Sequence, residues 1–316
     1  MKRTFKRIGF TIGAVIVLFN VVVMMHASKF TYFYDSNIIQ PKTKPEQLSG
    51  WSKWQIMLTG IKAYKRPIVD SFLLPHQSFT VRTTDGEALA VWYAVRPQPK
   101  GIVLFFHGHG GNRAGVVAEA TALYEMGYSV VLTDFRAHGA SSGNVCTIGY
   151  RECEDVYAVY QWAQQFKQPT ILYGISLGAA AITKALYDHS DLQPTKVILD
   201  MPFASLKDAT KGRLRLMHLP EEPMATLLVF WGSIIRGFWA FDLAPEKYVQ
   251  KIRCPVLLLW GAQDTRVAVH ETNRIFSNLT LAENKTLVVY QQSGHQSLLV
   301  HEPKLWHTSI TTFLNQ

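Results

Sequence analysis

Ser176 stands in the stretch Gly174-Ile175-Ser176-Leu177-Gly178, between a predicted strand and a predicted helix. A serine on such a tight strand-to-helix turn presents its hydroxyl above the strand ends, and small neighbours let the backbone turn sharply. The helix that follows directs free N–H groups and the positive end of its dipole at the same place. The stretch therefore predicts a nucleophilic serine, with a glycine-flanked helix N-cap as the alternative.

A serine hydroxyl is a weak nucleophile at neutral pH, so it needs a base and a group that orients the base. His295 follows the last predicted strand by five residues, on a loop that can reach back towards Ser176. Asp264 follows an apolar strand-like run on a short glycine-containing loop, and Asp200 ends the strand before it. The sequence thus predicts His295 as the base and leaves two aspartates as candidates for the acid.

Two backbone N–H groups are needed to stabilise the oxyanion of a tetrahedral intermediate. The amide of Leu177, directly after the serine, is one predicted donor. The other is the amide of His109, which lies in a glycine-rich loop after the first parallel strand. That loop lacks the Gly-Lys-Ser/Thr ending of a phosphate-binding loop, so it does not favour nucleotide binding.

From residue 101 onward, strand-like and helix-like segments alternate along the chain. This alternation predicts an α/β fold with a mostly parallel central sheet and helices on both faces. Two further strands at 78–83 and 88–95, joined through Asp85 and Gly86, read as a hairpin. A small helical cap is predicted at about 204–250, inserted before the penultimate strand.

Six blocks in a fixed order resemble the α/β-hydrolase superfamily over roughly residues 79–314, in particular its serine-aminopeptidase-like and prolyl-oligopeptidase-like branch of small membrane-anchored serine hydrolases. The blocks are residues 107–112, 135–141, 174–178, 202–205, 261–264 and 293–295. The resemblance implies the order nucleophile, acid, histidine, and its block at residues 261–264 places the acid at Asp264, which favours Asp264 over Asp200. It implies neither a metal nor a diffusible cofactor.

The N-terminus combines basic and apolar residues. The formal net charge is +9, and four of the positive charges lie in the first seven residues. Residues 8–25 are uncharged and almost wholly apolar, which is close to the shortest length that spans a bilayer as a helix. We predict a retained single-pass anchor at 1–28 with the catalytic domain outside the cytoplasm. A cleaved signal peptide followed by export is the alternative.

The remaining charge is not clustered, so a solvated surface is favoured over nucleic-acid binding. Residues 29–75 are predicted as a membrane-proximal linker and residues 76–316 as the hydrolase domain. Cys146, Cys153 and Cys254 lack the spacing of a zinc site. A bridge between Cys146 and Cys153 stays open, and the sequence does not indicate an oligomeric state.

The segment 222–241 is apolar enough to be taken for a second membrane span. A span there would put Asp264 and His295 on the other side of the membrane from Ser176. We therefore predict a cap helix instead. Its aromatic residues would roof the site, touch the bilayer or pack on the sheet: Trp231, Phe238 and Trp239.

These residues predict a serine hydrolase that cleaves an ester, thioester or amide through an acyl-enzyme, most simply a carboxylesterase or lipase-like enzyme. The apolar cap suggests a small-molecule or lipid-like acyl substrate. Two alternatives stay open. A peptidase would need a cap carboxylate for a free amine, with Glu221 and Glu222 as candidates, and a catalytically silent relative would use the same fold for binding.

Overall fold

A computed structural model describes residues 2–35, 50–69 and 72–316. Among these residues, eight strands form one sheet and two short strands form a second. In chain order the strands are β1 (Phe33–Tyr34), β2 (Ala63–Tyr64), β3 (Gln77–Arg82), β4 (Ala88–Ala94), β5 (Ile102–Phe106), β6 (Ser129–Thr133), β7 (Thr170–Ile175), β8 (Lys196–Asp200), β9 (Val256–Gly261) and β10 (Lys285–Tyr290).

Helices flank the sheet and form the N-terminus and the cap. In chain order they are α1 (Lys2–Phe30), α2 (Gly50–Thr59), α3 (Val117–Glu125), α4 (Glu152–Ala163), α5 (Leu177–Asp188), α6 (Leu206–Leu216), α7 (Met224–Arg236), α8 (Pro245–Tyr248), α9 (Val269–Asn278), α10 (Leu298–His301) and α11 (Pro303–Leu314).

The large sheet has the strand order β10-β9-β8-β7-β5-β6-β4-β3. The pairs from β10 to β6 are parallel, whereas β4 is antiparallel to both β3 and β6. Side chains alternate along the central strand β5, so Leu104 and Phe106 pack with α4 and α5, and Val103 and Phe105 pack with α3 and α11. Every residue of β5 is buried, as expected for a strand covered on both faces. The predicted fold class is confirmed.

The parallel strands end at one edge of the sheet, where the functional loops begin. The loop after β5, the turn after β7 and the loops after β9 and β10 carry the residues that the sequence singles out. The predicted hairpin is formed by β3 and β4, within one residue of its predicted bounds. The cap, α6 to α8, lies between β8 and β9.

The N-terminal helix α1 continues five residues past the apolar stretch that the sequence marks. It is long and apolar enough to cross a bilayer, judged by length and composition. Just beyond it, Phe33 is buried, and its N–H and C=O groups bond with Asn144 at 2.8 and 2.7 Å. The structure thus includes residues near 33 in the folded body, ahead of the domain boundary at residue 76 that the sequence suggests.

The three cysteines are free thiols. The bridge between Cys146 and Cys153 that the sequence leaves open is not formed. Burial raises the pKa of both thiols above the ordinary range, so they are protonated at neutral pH.

Candidate active site

Ser176 occupies the turn between β7 and α5 in a strained conformation. Its φ of 53° and ψ of −105° lie in the region with positive φ that residues with a side chain rarely adopt. The turn is fixed because the Ser176 N–H donates to the Asp200 carbonyl oxygen at 2.8 Å. The strain holds the hydroxyl above the strand ends, at the mouth of a pocket.

Close backbone packing explains the glycines around the serine. A Cβ atom at Gly178 would overlap the Phe106 carbonyl group, and one at Gly174 would overlap the backbone of Gly178 and Ala179. Any other residue at either position would push β5, β7 and α5 apart. The sequence pattern therefore reflects a steric requirement of the turn.

His295 contacts both of its predicted partners. Its Nε2 lies 3.1 Å from Ser176 Oγ, and its Nδ1 lies 2.7 Å from Asp264 Oδ2. The Asp264 side chain is fully shielded from solvent, and its Oδ1 accepts from the N–H groups of Arg266 and Val267 at 2.7 and 3.0 Å. A carboxylate held in this way accepts the Nδ1–H of the histidine and leaves Nε2 free to accept the serine proton.

The loop that carries His295 is held on both sides by buried or half-buried carboxyl groups. Glu302 Oε1 accepts from Ser293 Oγ at 2.7 Å and from the Gln292 N–H at 2.9 Å. Beyond the histidine, Ser297 Oγ donates to Glu119 Oε1 at 2.6 Å. These bonds fix the position of the imidazole relative to the serine.

Asp200, the rival acid, lies elsewhere in the core. Its Oδ2 accepts from the Tyr173 hydroxyl at 3.1 Å, and that hydroxyl accepts from Trp306 Nε1 at 3.3 Å. Burial, followed by the nearby Glu119, raises the pKa of Asp200 well above its usual range. The structure brings Asp264, and not Asp200, to the histidine.

The two predicted oxyanion donors line the same pocket as Ser176. Leu177 is the first residue of α5, where an amide has no partner within the helix. The loop around His109 is fixed by a bond from the Gly110 N–H to His138 Nε2 at 3.1 Å. This loop lies against the serine, because a Cβ atom at Gly108 would be 3.7 Å from Ser176 Cβ.

The pocket has a volume of about 330 Å³ and is lined by apolar side chains together with arginines. Burial, and then Arg266, lowers the pKa of Arg213 to about 10, so the Arg213 guanidinium group is charged at neutral pH. Phe30, the last residue of α1, also lines the pocket and stacks on the His109 ring at 4.7 Å between centroids. Sequence reasoning missed these three residues, because no local pattern marks them.

Of the three alternatives for the cap aromatics, the structure does not support a roof over the site. Trp231 donates to Asn20 of α1, Phe238 stacks on Tyr150 with centroids 4.1 Å apart, and Trp239 is half exposed. None of them lines the pocket. Phe203 and Leu206, at the start of the cap, do so instead.

Comparisons with known proteins agree with this architecture. The family model described as serine aminopeptidase, S33, matches residues 97–237. An uncharacterized protein of Mycobacterium tuberculosis is 27% identical over 275 residues, which is 84% of this chain and 89% of that protein. The lysophosphatidylserine lipase ABHD12 of Danio rerio is 30% identical over 217 residues, 66% of this chain and 53% of that protein. This chain therefore spans about half the length of that lipase.

Solved structures with the same fold include two esterases. The Pyrococcus furiosus esterase gives a TM-score of 0.67 at 22% identity, covering 79% of this chain and 96% of that one. The Exiguobacterium antarcticum esterase gives 0.57 at 19% identity, covering 76% of this chain and 100% of that one. These likenesses show that the chain has the α/β-hydrolase fold, and in sequence it is similar to the serine aminopeptidase model and to the lipase.

Proposed function

We propose that this protein is a serine hydrolase that cleaves a carboxylic ester through an acyl-enzyme on Ser176. The observation that carries the proposal is the chain of contacts from Asp264 through His295 to Ser176, at 2.7 and 3.1 Å, at the mouth of a pocket. This arrangement of acid, base and nucleophile is what acyl transfer by a hydroxyl requires.

The proposed reaction has two halves. Ser176 Oγ attacks the ester carbonyl carbon while His295 Nε2 takes its proton, and the amides of Leu177 and His109 stabilise the resulting oxyanion. The C–O bond to the alcohol then breaks, and His295 returns the proton to the leaving oxygen. A water molecule, deprotonated by the same histidine, releases the acid and restores the serine.

The lining of the pocket favours an acyl ester with negative charge near the ester group. Apolar residues such as Phe203 and Leu206 suit an acyl chain, and the guanidinium groups of Arg213 and Arg266 suit an anionic group. Some relatives are named lysophosphatidylserine lipase, and lysophosphatidylserine is an acyl ester of this anionic kind. We therefore propose a small or lipid-like anionic acyl ester as the substrate class.

The match to the serine aminopeptidase model makes a peptidase the second candidate. An aminopeptidase needs a carboxylate that binds the free amine of its substrate. Glu221 and Glu222 bind Arg215, Lys207 and Lys211 through ion pairs, and neither glutamate lines the pocket. An aminoacyl arylamide assayed beside an ester of the same acyl group separates the two activities, and we expect turnover of the ester.

We further propose that residues 1–28 form a single-pass anchor that leaves the hydrolase domain outside the cytoplasm. The length of α1 and the basic residues that precede its apolar part support this topology. N-terminal sequencing of the protein purified from membranes tests retention. A mature chain that begins near Ser28 would mean export after signal cleavage.

Labelling with a fluorophosphonate probe tests the nucleophile. We expect the wild type to be labelled, Ser176→Ala to be unlabelled, and Ser190→Ala, at an exposed serine, to behave as the wild type. A folded wild-type protein that resists the probe would contradict the proposal and favour a catalytically silent binding role.

A further inference from the structure

The cap helix α7 lies against the end of α1 that is nearest the hydrolase domain. Trp231 Nε1 donates to Asn20 Oδ1 at 3.0 Å. The Arg236 guanidinium donates to Thr31 Oγ1 at 2.7 Å and to the Ser28 carbonyl oxygen at 2.8 Å. The two helices are thus joined by polar bonds at both ends of their contact.

Apolar packing completes the contact between α1 and the cap. Val23 and Ala27 are buried, whereas Phe10 and Val15, earlier in the same helix, are 81% and 61% exposed. The first part of α1 therefore has no protein cover among the described residues, as an anchor in lipid requires. Only its last third is part of the folded body.

The side of α7 that does not face the protein is apolar and exposed. Phe230 and Ile234 are four residues apart, hence on one face of the helix, and Trp239 follows. The turn from α6 to α7 adds further apolar side chains. The exposed fractions are 44% for Leu216, 53% for Met217, 45% for Leu219, 38% for Phe230, 55% for Ile234 and 54% for Trp239. We call these six residues the cap surface.

The position of the pocket connects this surface to the chemistry. Phe30, at the end of α1, lines the pocket together with Leu206 and Arg213 of α6. The Arg213 guanidinium lies 5.4 Å from the centre of the Phe30 ring. One wall of the pocket is therefore built where the anchor meets the cap.

We propose that the cap surface inserts into the lipid bilayer beside α1, so that the pocket receives its acyl substrate from the membrane. The occupant is lipid because α7 is bonded to α1, a helix long and apolar enough to cross a bilayer whose first part is exposed. An interfacial position also suits the tryptophans of the cap. The inference rests on the proposed anchor and the proposed acyl hydrolase.

Spin-label accessibility tests the position of the cap surface without any need for activity. Ile234→Cys and Leu281→Cys form a matched pair, since their native side chains are 55% and 50% exposed and Leu281 lies before β10, at the opposite edge of the sheet from the pocket. Both are placed in a full-length Cys254→Ser background, because the other two cysteines are buried. The labelled proteins are reconstituted into phosphatidylcholine–phosphatidylglycerol vesicles.

We expect the label at position 234 to be accessible to oxygen and shielded from a water-soluble nickel complex, and the label at 281 to show the reverse. Equal access of the nickel complex to both labels would overturn the proposal.

Turnover on two substrates tests the route from the membrane. Ile234→Asp should reduce hydrolysis of a long-chain ester held in vesicles by about tenfold, while a soluble short-chain ester is hydrolysed as by the wild type. Leu281→Asp should change neither rate. A loss of equal size on both esters, or no loss on either, would contradict a membrane route. A wild type that hydrolyses neither ester would refute the hydrolase proposal, and the spin labels would still report on the membrane.

Discussion

At the scale of single residues, the two buried aspartates near the candidate site differ in the groups that donate hydrogen bonds to them. Asp264 accepts from His295 and from two backbone amides, whereas Asp200 accepts from a tyrosine hydroxyl. Asp200 ends β8 and Asp264 follows β9 at the same edge of the sheet, so the local sequence alone did not separate them. The distinction depends on where the loop after β10 returns, which is a tertiary property.

Replacing each aspartate by asparagine tests this assignment. Asp264→Asn should lower kcat by about 10⁴-fold, because the amide no longer fixes the tautomer of His295. Asp200→Asn should keep most of the activity, since Asp200 does not contact the histidine. Steady-state kinetics on an ester, with thermal unfolding as the folding control, decides between them. The opposite ranking would give the acid role to Asp200.

Two buried histidines near the site should make the protein sensitive to acid. His107 Nε2 accepts from the Phe135 N–H at 3.2 Å, and His138 Nε2 accepts from the Gly110 N–H at 3.1 Å. Burial lowers the pKa of each to about 4, below the value of about 6.5 in an unfolded chain. Between these values the unfolded state binds more protons, so the free energy of unfolding falls as the pH falls from 6.5 to 4.

We expect each histidine to contribute on the order of 3 kcal/mol to this loss. Chemical denaturation at several pH values measures it. His107→Gln keeps an acceptor for the Phe135 amide and should show a smaller loss, whereas His301→Gln, at an exposed histidine, should match the wild type. If the free energy of unfolding of His107→Gln depends on pH as in the wild type, the His107 imidazole is not shielded from protonation in the folded state.

At the scale of secondary structure, the sequence predicted the sheet and the order of its strands and helices because buried parallel strands are continuous apolar runs. It left the role of the cap aromatics open among three alternatives. An apolar helix such as α7 is compatible with a roof, a core element or a membrane contact, and only the packing of α1 against it distinguishes these. The same packing extends α1 beyond its apolar stretch.

Two glycines in the cap helices offer a matched test of how closely the cap packs on the domain. A Cβ atom at Gly212 in α6 would overlap the Arg266 carbonyl, whereas one at Gly232 in α7 meets nothing within 4 Å. Gly212→Ala should lower the free energy of unfolding by about 1–3 kcal/mol and raise KM, because α6 carries Arg213 into the pocket. Gly232→Ala should raise the free energy of unfolding by about 0.5–1 kcal/mol through helix propensity.

Chemical denaturation and ester kinetics on the full chain check both variants. Equal stabilities for the two alanine variants would show that α6 is not held closely against the loop after β9.

At the scale of the whole molecule, α1 and the rest of the folded body together form one wall of the pocket. Phe30→Ala removes the ring that stacks on His109, so the loop that carries one oxyanion donor loses support. We expect kcat on a soluble ester to fall by about tenfold. Phe10→Ala, in the exposed part of α1, should leave kcat unchanged. Steady-state kinetics on the soluble ester in detergent measures kcat for both variants. Equal kcat values would show that the end of α1 does not support the site.

The contribution of Phe30 to the pocket could not be predicted, because residue 30 falls where the sequence suggests a linker. The residues around position 30 carry no pattern that distinguishes Phe30 from any other aromatic residue of a linker. Its contact with His109 and Arg213 depends on three segments more than 70 residues apart along the chain. Such contacts are fixed by the folded arrangement and not by any local pattern.

Phe30 and His295 line the same pocket although they lie far apart along the chain, and this distance also bears on biosynthesis. In a growing chain α1 is made early, yet the site is not complete until the loop after β10 has left the ribosome and folded back. An incomplete chain therefore lacks His295 and cannot make the contacts on which the proposed acyl transfer depends. The order of these residues along the chain thus delays the proposed activity until the loop after β10 has been made.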